Sequence, residues 1–188
     1  MLFIFYHVIL KMKKLLYDEI LEERETLISI KEVERYPISV ILHNIRSLYN
    51  VGSIFRTCDS ARVEELILCG YTPHPPRKEL DKTALGSVDT VPWSYFKNTE
   101  DAIKSQKNSG KKVIAVELTD KKRSYTSLEK SEFPISLIFG NELSGIPDEI
   151  LELCDDAIEI PMHGVKHSLN VSVTAGITIF ESLRTFNK

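Results

Sequence analysis

The chain has 188 residues, 43% of them hydrophobic and 27% charged, with a formal net charge of −3 at pH 7. This length and composition predict one compact domain with an ordinary buried core, together with a short appendage. The net negative charge excludes a protein that coats nucleic acid through bulk electrostatic attraction, so any RNA contact must rest on local basic patches.

The N-terminal region predicts a short helical arm. The first ten residues are apolar, and three lysines follow them. A secretory signal carries its positive charge before its apolar segment, and a membrane-spanning helix needs roughly 20 apolar residues. We therefore expect a cytoplasmic protein whose start is a packed or frayed terminus, with Met12 as an alternative first residue. Apolar side chains recur at helical spacing over residues 12–31 and Pro37 closes the stretch, which predicts an arm over residues 1–36.

Short runs of Ile, Val and Leu alternate with helical patterns through the rest of the chain. The five runs occupy residues 38–42, 66–69, 113–118, 135–139 and 157–160. Few charges interrupt them, which is typical of strands buried on both faces of a parallel sheet. Helical patterns cover residues 51–61, 99–108, 147–153 and 169–183. We therefore predict an α/β domain over residues 37–188, with a largely parallel sheet flanked by helices.

Three polar, glycine-containing stretches follow predicted strands, at residues 44–59, 140–145 and 162–170. Ligands of open α/β sheets bind outside the carboxyl ends of the strands. We therefore expect the three stretches to form one composite site, since loops held by a rigid scaffold keep backbone groups free for binding.

The first stretch reads NIRSLYNVGSIFRTCDS over residues 44–60. Asn50 and its polar neighbours can start a helix, and Gly52 leaves space for a close approach. Arg56 lies less than two helical turns after Asn50, and its planar guanidinium suits phosphate. Taken alone, the pattern fits a phosphate-binding helix and a capped helix with a surface arginine equally well.

The second stretch reads LIFGNELSGIPDEIL over residues 137–151. Gly140 and Gly145 allow a tight turn after a buried strand, with backbone amides and carbonyls that can cradle an adenosine or a carboxylate. The stretch matches neither a Walker loop nor the glycine pattern of dinucleotide-binding proteins. By spacing alone it is a glycine-rich turn.

The third stretch reads IEIPMHGVKHSLNVSVTAGITIFESL over residues 158–183. A strand ends at Pro161, a loop follows, and Asn170 stands at the start of a helix rich in small and β-branched residues. Such residues are poor choices for an exposed helix. We expect this helix to be buried on nearly all sides, as at a helix–helix or subunit interface.

Thiol and metal chemistry are disfavoured by the residue spacing. Cys58, Cys69 and Cys154 are an odd number with no close pair, so they suggest neither a disulfide framework nor a zinc site. His163 and His167 lie four residues apart, as some metal ligands on helices do. A glycine between them and the lack of a nearby carboxylate as third ligand argue against a metal.

Taken together, the three stretches resemble the signature motifs of the SpoU/TrmH RNA methyltransferases. The matching patterns are N-x-R-S-x-x-N-x-G-x-x-x-R, F-G-N-E-x-S-G and I-P-M-x-G-x-x-x-S-L-N-V-S-V, in that order. The run KTALGSVDTVPW over residues 82–93 is similar to a stretch common among shorter members, and the resemblance extends over residues 38–184. It implies an S-adenosylmethionine-dependent enzyme that methylates the ribose 2′-hydroxyl in tRNA or rRNA.

The resemblance also implies a fold and an assembly that spacing does not reveal. Members have a SPOUT-type α/β domain whose C-terminal third forms a trefoil knot, one of the rare exceptions to unknotted topology. The knot loops bind S-adenosylmethionine in a bent pose, without a metal. Members work as homodimers with the site near the subunit interface, and no membrane is involved. The family commonly has Gly, a left-handed helix cap, where this chain has Arg62.

Site residues follow from the resemblance position by position. The residues implied for cofactor binding are Gly140, Asn141, Leu143, Gly145, Ile160, Met162, Ser168 and Leu169. The residues implied for catalysis are Asn50, Arg56, Glu142, Ser168 and Asn170. Arg56 is expected to act near a cofactor bound mainly by the partner subunit. Family-level proposals make this arginine a general base, but arginine stays protonated in proteins, so stabilisation of the developing alkoxide is physically easier.

Two alternatives for function stay open at this point. A catalytically inactive SPOUT-fold RNA-binding protein is the main one, although all five residues implied for catalysis are present. A nucleotide-binding oxidoreductase is disfavoured because the glycine fingerprint is absent. The densest basic region either binds RNA phosphate or is a solvated face; it comprises Lys111, Lys112, Lys121, Lys122 and Arg123, with Arg77 and Lys78 next in density.

Overall fold

The computed structural model describes residues 12–121 and 123–188, so the apolar start of the chain and Lys122 lie outside the described residues. The chain divides into two compact units between Val33 and Glu34. Within residues 12–33, the first unit contains one short helix, α1 (Tyr17–Glu22), and a 3-10 turn. The predicted helix over residues 12–31 is therefore wrong in extent. Helix α1 buries no side chain, so packing does not extend it. The Thr26 hydroxyl accepts hydrogen bonds from the Ile28 and Ser29 backbone amides, which favours a turn over a continued helix.

The second unit is built on a six-stranded sheet in the order β3-β2-β1-β5-β4-β6, and every pair is parallel. The predicted parallel sheet is thus confirmed. The knot that the resemblance implies stays a prediction, as does the domain boundary after residue 36. The strands are β1 (Tyr36–His43), β2 (Val63–Cys69), β3 (Trp93–Phe96), β4 (Lys112–Val116), β5 (Ile135–Phe139) and β6 (Asp156–Ile158).

Helices cover both faces of the sheet, as the alternating pattern predicts. They are α2 (Leu48–Ser60), α3 (Lys78–Ala84), α4 (Thr99–Asn108), α5 (Asp148–Leu151) and α6 (Val171–Phe186). Two core clusters result because side chains alternate between the faces of each strand. Leu42 of β1 packs with α2, α3 and α6, whereas Ile41 beside it packs with α4 and α5. Among the described residues, no helix is long and apolar enough to cross a membrane.

Strand β3 and helix α3 have no counterpart among the predicted elements. Strand β3 has four residues that are alternately exposed and half-buried, so it lacks the continuous apolar run of the inner strands. Helix α3 is highly charged and depends on its contact with α2. A Cβ atom added at Gly52 would stand 2.1 Å from Thr83 Oγ1 and 2.6 Å from the Leu80 carbonyl oxygen. Only glycine therefore permits this approach of the two helices.

Several element boundaries differ from prediction by two to three residues. Strand β4 ends at Val116 instead of residue 118, and β6 ends at Ile158 instead of residue 160. Helix α6 begins at Val171, with Asn170 as its N-cap, and runs on to Phe186. The helix predicted over residues 99–108 is confirmed. The shortened strands release Glu117 and its neighbours into loops at the carboxyl edge of the sheet.

The turn after α2 accommodates an arginine where the resemblance implies a glycine. Arg62 adopts a left-handed backbone conformation with φ of 51°. Its guanidinium carbon lies 5.0 Å from the centre of the Tyr36 ring, a distance at which a cation is attracted to the ring face. This contact offsets part of the cost of a left-handed non-glycine residue.

Candidate active site

Loops from the carboxyl ends of β4, β5 and β6 enclose a cavity of about 440 Å³ together with the start of α6. This volume lies within the usual range for small-molecule sites. The cavity is lined by all eight residues implied for cofactor binding: Gly140, Asn141, Leu143, Gly145, Ile160, Met162, Ser168 and Leu169. Three of the residues implied for catalysis also line it, namely Glu142, Ser168 and Asn170.

The loop after β5 is a tight turn that requires its two glycines. Asn141 and Gly145 exchange backbone hydrogen bonds of 3.1 and 2.9 Å. A Cβ atom at Gly140 would lie 2.3 Å from the Gly145 carbonyl carbon, and Gly145 itself has φ of +66°. Any side chain at Gly140 would therefore push the two arms of the turn apart and reshape the cavity.

The side chain of Asn141 connects this turn to two other loops. Its amide nitrogen donates to the Asn44 carbonyl at 2.7 Å and to the Tyr71 hydroxyl at 2.8 Å. Its amide oxygen accepts from the Leu143 and Ser144 backbone amides at 2.9 and 3.1 Å. Asn141 is 7% exposed, so these bonds are shielded from water and hold the turn in one position.

Glu142 links the same turn to the N-terminus of α2. Its carboxylate accepts hydrogen bonds from the Arg46 and Ser47 backbone amides at 2.8 and 3.0 Å, and from the Asn50 side-chain amide at 2.9 Å. Burial raises the pKa of Glu142, but these three donors outweigh burial and bring the pKa below its ordinary value. The carboxylate is therefore ionised at neutral pH and already occupied by donors.

Asn50 also reaches the start of α6. The Asn170 side-chain amide donates to the Asn50 amide oxygen at 3.1 Å. The Asn170 oxygen in turn accepts from the Ser172 backbone amide at 2.9 Å and so caps α6. Asn50, Glu142 and Asn170, each from a different sequence motif, thus form one hydrogen-bonded chain at the rim of the cavity.

Arg56 does not line this cavity. It is exposed on α2 and lines a second cavity of about 450 Å³, together with hydroxyl-bearing residues, Lys82 and Phe180. The composite site predicted from the sequence is therefore divided within a single chain. Asn50 joins the first cavity through its hydrogen bonds, whereas Arg56, six residues later, faces the second.

The sequence analysis missed part of the cavity wall. Glu117 lines the cavity, and its carboxylate accepts from the Ile146 and Leu118 backbone amides at 3.0 and 2.9 Å. It was hidden inside a strand predicted two residues too long. A charged residue at the carboxyl end of that strand was the available signal. The other lining residues that were not identified are Val116, Leu118, Phe139, Ser144, Glu159, His167, Val171 and Thr174.

Helix α6 is less buried than its composition predicts. Val173 and Phe180 are 49% and 47% exposed, and Ile177 between them is half-buried. These three positions follow at intervals of four and three residues and so share one face of the helix. Within one chain, the expectation of burial on nearly all sides is wrong for this face.

The densest basic region of the sequence is mostly paired within the fold. Lys111 is buried and contacts Glu64 at 2.8 Å and the Ser39 hydroxyl at 2.6 Å. Lys112 and Arg123 both pair with Glu132 at 2.6 Å. Within residues 12–121 and 123–188, no group of three or more His, Cys, Asp or Glu side chains could hold a metal ion.

Comparison with known proteins agrees with this geometry. The model of the SpoU rRNA Methylase family matches residues 37–180. A tRNA (guanosine(18)-2′-O)-methyltransferase of Thermus thermophilus is 33% identical over 147 residues, which cover 78% of this chain and 74% of that protein. The enzyme of the same name from Aquifex aeolicus is 30% identical over 169 residues, which cover 88% of this chain and 78% of that protein.

Solved structures show the same fold. The TrmH/SpoU tRNA modifying enzyme of A. aeolicus superposes with a TM-score of 0.76 at 31% identity, covering 89% of this chain and 85% of that one. An AdoMet-bound rRNA methyltransferase from Sinorhizobium meliloti superposes with a TM-score of 0.75 at 32% identity, covering 82% of this chain. The present chain spans 59% of the length of that S. meliloti protein.

Proposed function

Because this chain belongs to the SpoU rRNA methylase family, we propose that it transfers a methyl group from S-adenosylmethionine to the ribose 2′-hydroxyl of an RNA nucleotide. The observation that carries this proposal is the cavity itself. Two of the motifs line it, and hydrogen bonds join Asn50 of the first motif to Glu142 and Asn170 of that lining.

The cavity suits S-adenosylmethionine in shape and in charge. The turn beginning at Gly140 forms a cradle that any Cβ atom would fill, as expected where a ligand approaches the backbone. Met162 and Leu169 provide apolar surface for an adenosine. Glu117 and Glu159 add carboxylates to the lining, which favour a ligand that carries a sulfonium and an ammonium group.

The residues of the rim position the acceptor. S-adenosylmethionine supplies an already activated methyl group, so the protein has to align a ribose oxygen and assist the loss of its proton. Alignment of this kind is worth about 7–11 kcal/mol in favourable cases. Asn50 contacts the ribose, and an Arg56 brought to the cavity by a second subunit contacts the neighbouring phosphate. Glu142 fixes Asn50, while Ser168 and Asn170 shape the loop around the reacting groups.

The position of Arg56 supports a site shared between two subunits. Arg56 stands in the second cavity beside Phe180, on the side of the exposed apolar face of α6. A homodimer that buries Val173 and Phe180 brings Arg56 of one subunit to the cofactor cavity of the other. There its charge stabilises the alkoxide that forms as the 2′-hydroxyl loses its proton to solvent, since arginine stays protonated and does not take that proton itself.

The substrate is tRNA or rRNA, since relatives named for both are similar to this chain. The enzyme acts in the cytoplasm, in keeping with the bacterial tRNA methyltransferases that it resembles.

The test is transfer of labelled methyl from S-adenosylmethionine into purified total tRNA and rRNA, each digested to nucleosides. Label in a 2′-O-methyl nucleoside is the expected result and names the RNA class. Arg56→Ala serves as the control for catalysis and should bind S-adenosylhomocysteine as the wild type does. Binding of RNA without label in either pool and without binding of S-adenosylhomocysteine would overturn the proposal in favour of a non-catalytic RNA-binding protein.

A further inference from the structure

Strand β3 carries two large aromatic side chains that the core does not use. Trp93 and Tyr95 are 37% and 41% exposed and lie on the same face of this edge strand. The alternate positions face the other way: Ser94 bonds to Glu65 at 2.6 Å, and Phe96 packs against the core. The exposed pair therefore neither fills the interior nor completes a core cluster.

A third ring lies against this pair. The imidazole of His74 has its centre 4.5 Å from that of Tyr95, with ring planes tilted by 42°. The same imidazole is 6.4 Å from the Trp93 ring, with planes only 25° apart. The Tyr95 hydroxyl donates to the Gly70 carbonyl at 2.8 Å, which fixes the direction of that ring. Three rings thus form a held, partly exposed row.

Tyr71 connects the segment beside this row to the proposed cofactor cavity. This residue follows Gly70, whose carbonyl accepts the hydrogen bond from the Tyr95 hydroxyl, and it is 61% exposed. The Tyr71 hydroxyl accepts a hydrogen bond at 2.8 Å from Asn141, which lines the cavity. The Tyr71 backbone amide donates to the Asn44 side chain at 3.1 Å. Hydrogen bonds therefore hold Tyr71 at its hydroxyl and at its backbone amide, while the residue remains largely exposed.

We propose that Tyr71, His74, Trp93 and Tyr95 form a base-stacking surface for a single-stranded segment of the RNA substrate, next to the methyl-transfer site. Exposed aromatic rings bind unpaired bases by stacking, which is worth about 1–3 kcal/mol per base and tolerates different base identities. The exposed Arg77 and Lys78 follow His74 closely and suit the phosphates of the same strand. This inference rests on the proposed RNA methyltransferase function.

The chemistry of the reaction favours such an occupant. A ribose hydroxyl reaches the bottom of a cavity most readily from a nucleotide whose neighbours are unpaired, and specific RNA recognition commonly uses splayed bases on aromatic side chains. A surface that stacks neighbouring bases would hold the target strand open and direct its ribose towards the cavity. If these rings instead bound a protein partner, the response to an added oligonucleotide would not depend on its bases.

The chain provides its own reporter for this surface because Trp93 is its single tryptophan. Fluorescence of the intact wild-type protein is titrated with a short adenylate RNA and with an abasic oligonucleotide of equal length and charge. Stacking predicts quenching by the adenylate RNA and little or none by the abasic strand. Equal quenching by both, or none by either, overturns the proposal.

A matched pair of variants separates the ring from its hydrogen bond. Tyr95→Phe and Tyr95→Leu both lose the bond to Gly70, but only Tyr95→Leu loses the aromatic face. We expect the adenylate RNA to bind Tyr95→Phe about as tightly as the wild type and Tyr95→Leu about tenfold more weakly, measured by polarisation of labelled RNA. Both should bind S-adenosylhomocysteine normally, which reports the fold and the cofactor cavity. Equal RNA affinity of the two variants overturns the stacking surface.

These readouts fail separately from the proposed function. If the wild type methylates RNA but Tyr95→Leu keeps full RNA affinity, the methyltransferase function stands and the stacking surface is rejected. If the wild type shows base-dependent quenching but neither binds S-adenosylhomocysteine nor transfers methyl, the stacking surface stands and the methyltransferase function is rejected.

Discussion

The side-chain amide of Asn50 donates a hydrogen bond of 2.9 Å to the carboxylate of Glu142, although 92 residues separate the two in the sequence. The same carboxylate accepts two backbone amides at the start of α2. One charged side chain therefore ties the turn after β5 to the helix that carries Asn50 and Arg56. Because these donors occupy its oxygen atoms, we expect Glu142 to position the site and not to react with the substrate.

Glu142→Gln should lower methyl transfer far more than it lowers stability. The glutamine side chain keeps the shape of glutamate but loses its charge. Its NH2 group is also a donor, so it cannot accept a hydrogen bond from the backbone N–H groups that contact the Glu142 carboxylate. We expect kcat/KM to fall by about a hundredfold, as a displacement of about 1 Å would cause. The free energy of unfolding should fall by only about 1 kcal/mol, because the side chain is exposed to solvent. Unchanged kcat/KM would show that the hydrogen bonds between Glu142 and the start of α2 do not contribute to catalysis.

Arg56→Ala and Gly140→Val should restore activity to each other when the two chains are co-expressed. Each variant alone should be nearly inactive, one lacking the arginine and the other the cofactor cavity. If the site is shared across a symmetric dimer, the mixed dimer contains one intact site, so activity should return to about a quarter of wild type. The rate of methyl transfer by the purified mixture, compared with that of the wild type, checks this. Activity no greater than that of the separate variants would mean that Arg56 acts within its own chain.

Gly140→Ala should damage the cofactor cavity, whereas Gly164→Ala should not. A Cβ atom at Gly140 would meet the Gly145 carbonyl carbon at 2.3 Å, while one at Gly164 has no atom within 4 Å. We expect Gly140→Ala to lose about 1–3 kcal/mol of unfolding free energy and to bind S-adenosylhomocysteine at least about tenfold more weakly. Calorimetric titration and urea unfolding measure both. Equal binding of S-adenosylhomocysteine by the two variants would show that the turn after β5 accommodates a side chain at residue 140 without loss of affinity.

Lys111→Met should leave RNA binding unchanged although it removes a cation from the densest basic region of the sequence. The Lys111 ammonium is buried against Glu64 and Ser39 and is unable to reach a phosphate. The slope of log affinity against log salt should therefore stay the same. Arg77→Ala provides the contrast, since loss of one phosphate contact to single-stranded RNA lowers that slope by about 0.7. A shallower slope for Lys111→Met would contradict this assignment.

Glu132→Gln should destabilise the protein at neutral pH and much less in acid. Burial raises the pKa of Glu132, but hydrogen bonds from Arg123, Lys112 and a backbone amide outweigh it and bring the pKa to about 2, from an ordinary 4.5. Because the folded-state pKa is depressed, the stabilisation is present above about 4.5 and is lost as the pH falls towards about 2.

The measurement for Glu132→Gln is urea unfolding from neutral pH down to about pH 3. A difference from wild type of about 1–2 kcal/mol should stay constant from neutral pH down to about pH 4.5 and shrink below it. Glu152→Gln, at an exposed position after α5, is the control for the simple loss of one negative charge. A difference that stays constant with pH would exclude ionisation of Glu132 as its source.

Local pattern determined much of this protein. Runs dominated by apolar residues, such as residues 135–139, predict buried parallel strands because both faces of each strand are covered. The glycines at 140 and 145 predict a tight turn, and the order of the three motifs identifies the family. The same patterns failed for β3 and for α1, since a half-exposed edge strand and a short helix without buried residues are decided by their surroundings.

Tertiary structure alone decided how the motifs meet. The bond between Asn50 and Glu142, the separation of Arg56 from the cofactor cavity and the pairing of Lys111 with Glu64 each join residues far apart in the chain. Sequence spacing carries information on neighbours along one helix or strand, because those distances follow from backbone geometry. Contacts between elements depend instead on sheet order and helix packing, which bring the carboxyl ends of nonconsecutive strands to one edge and create the site there.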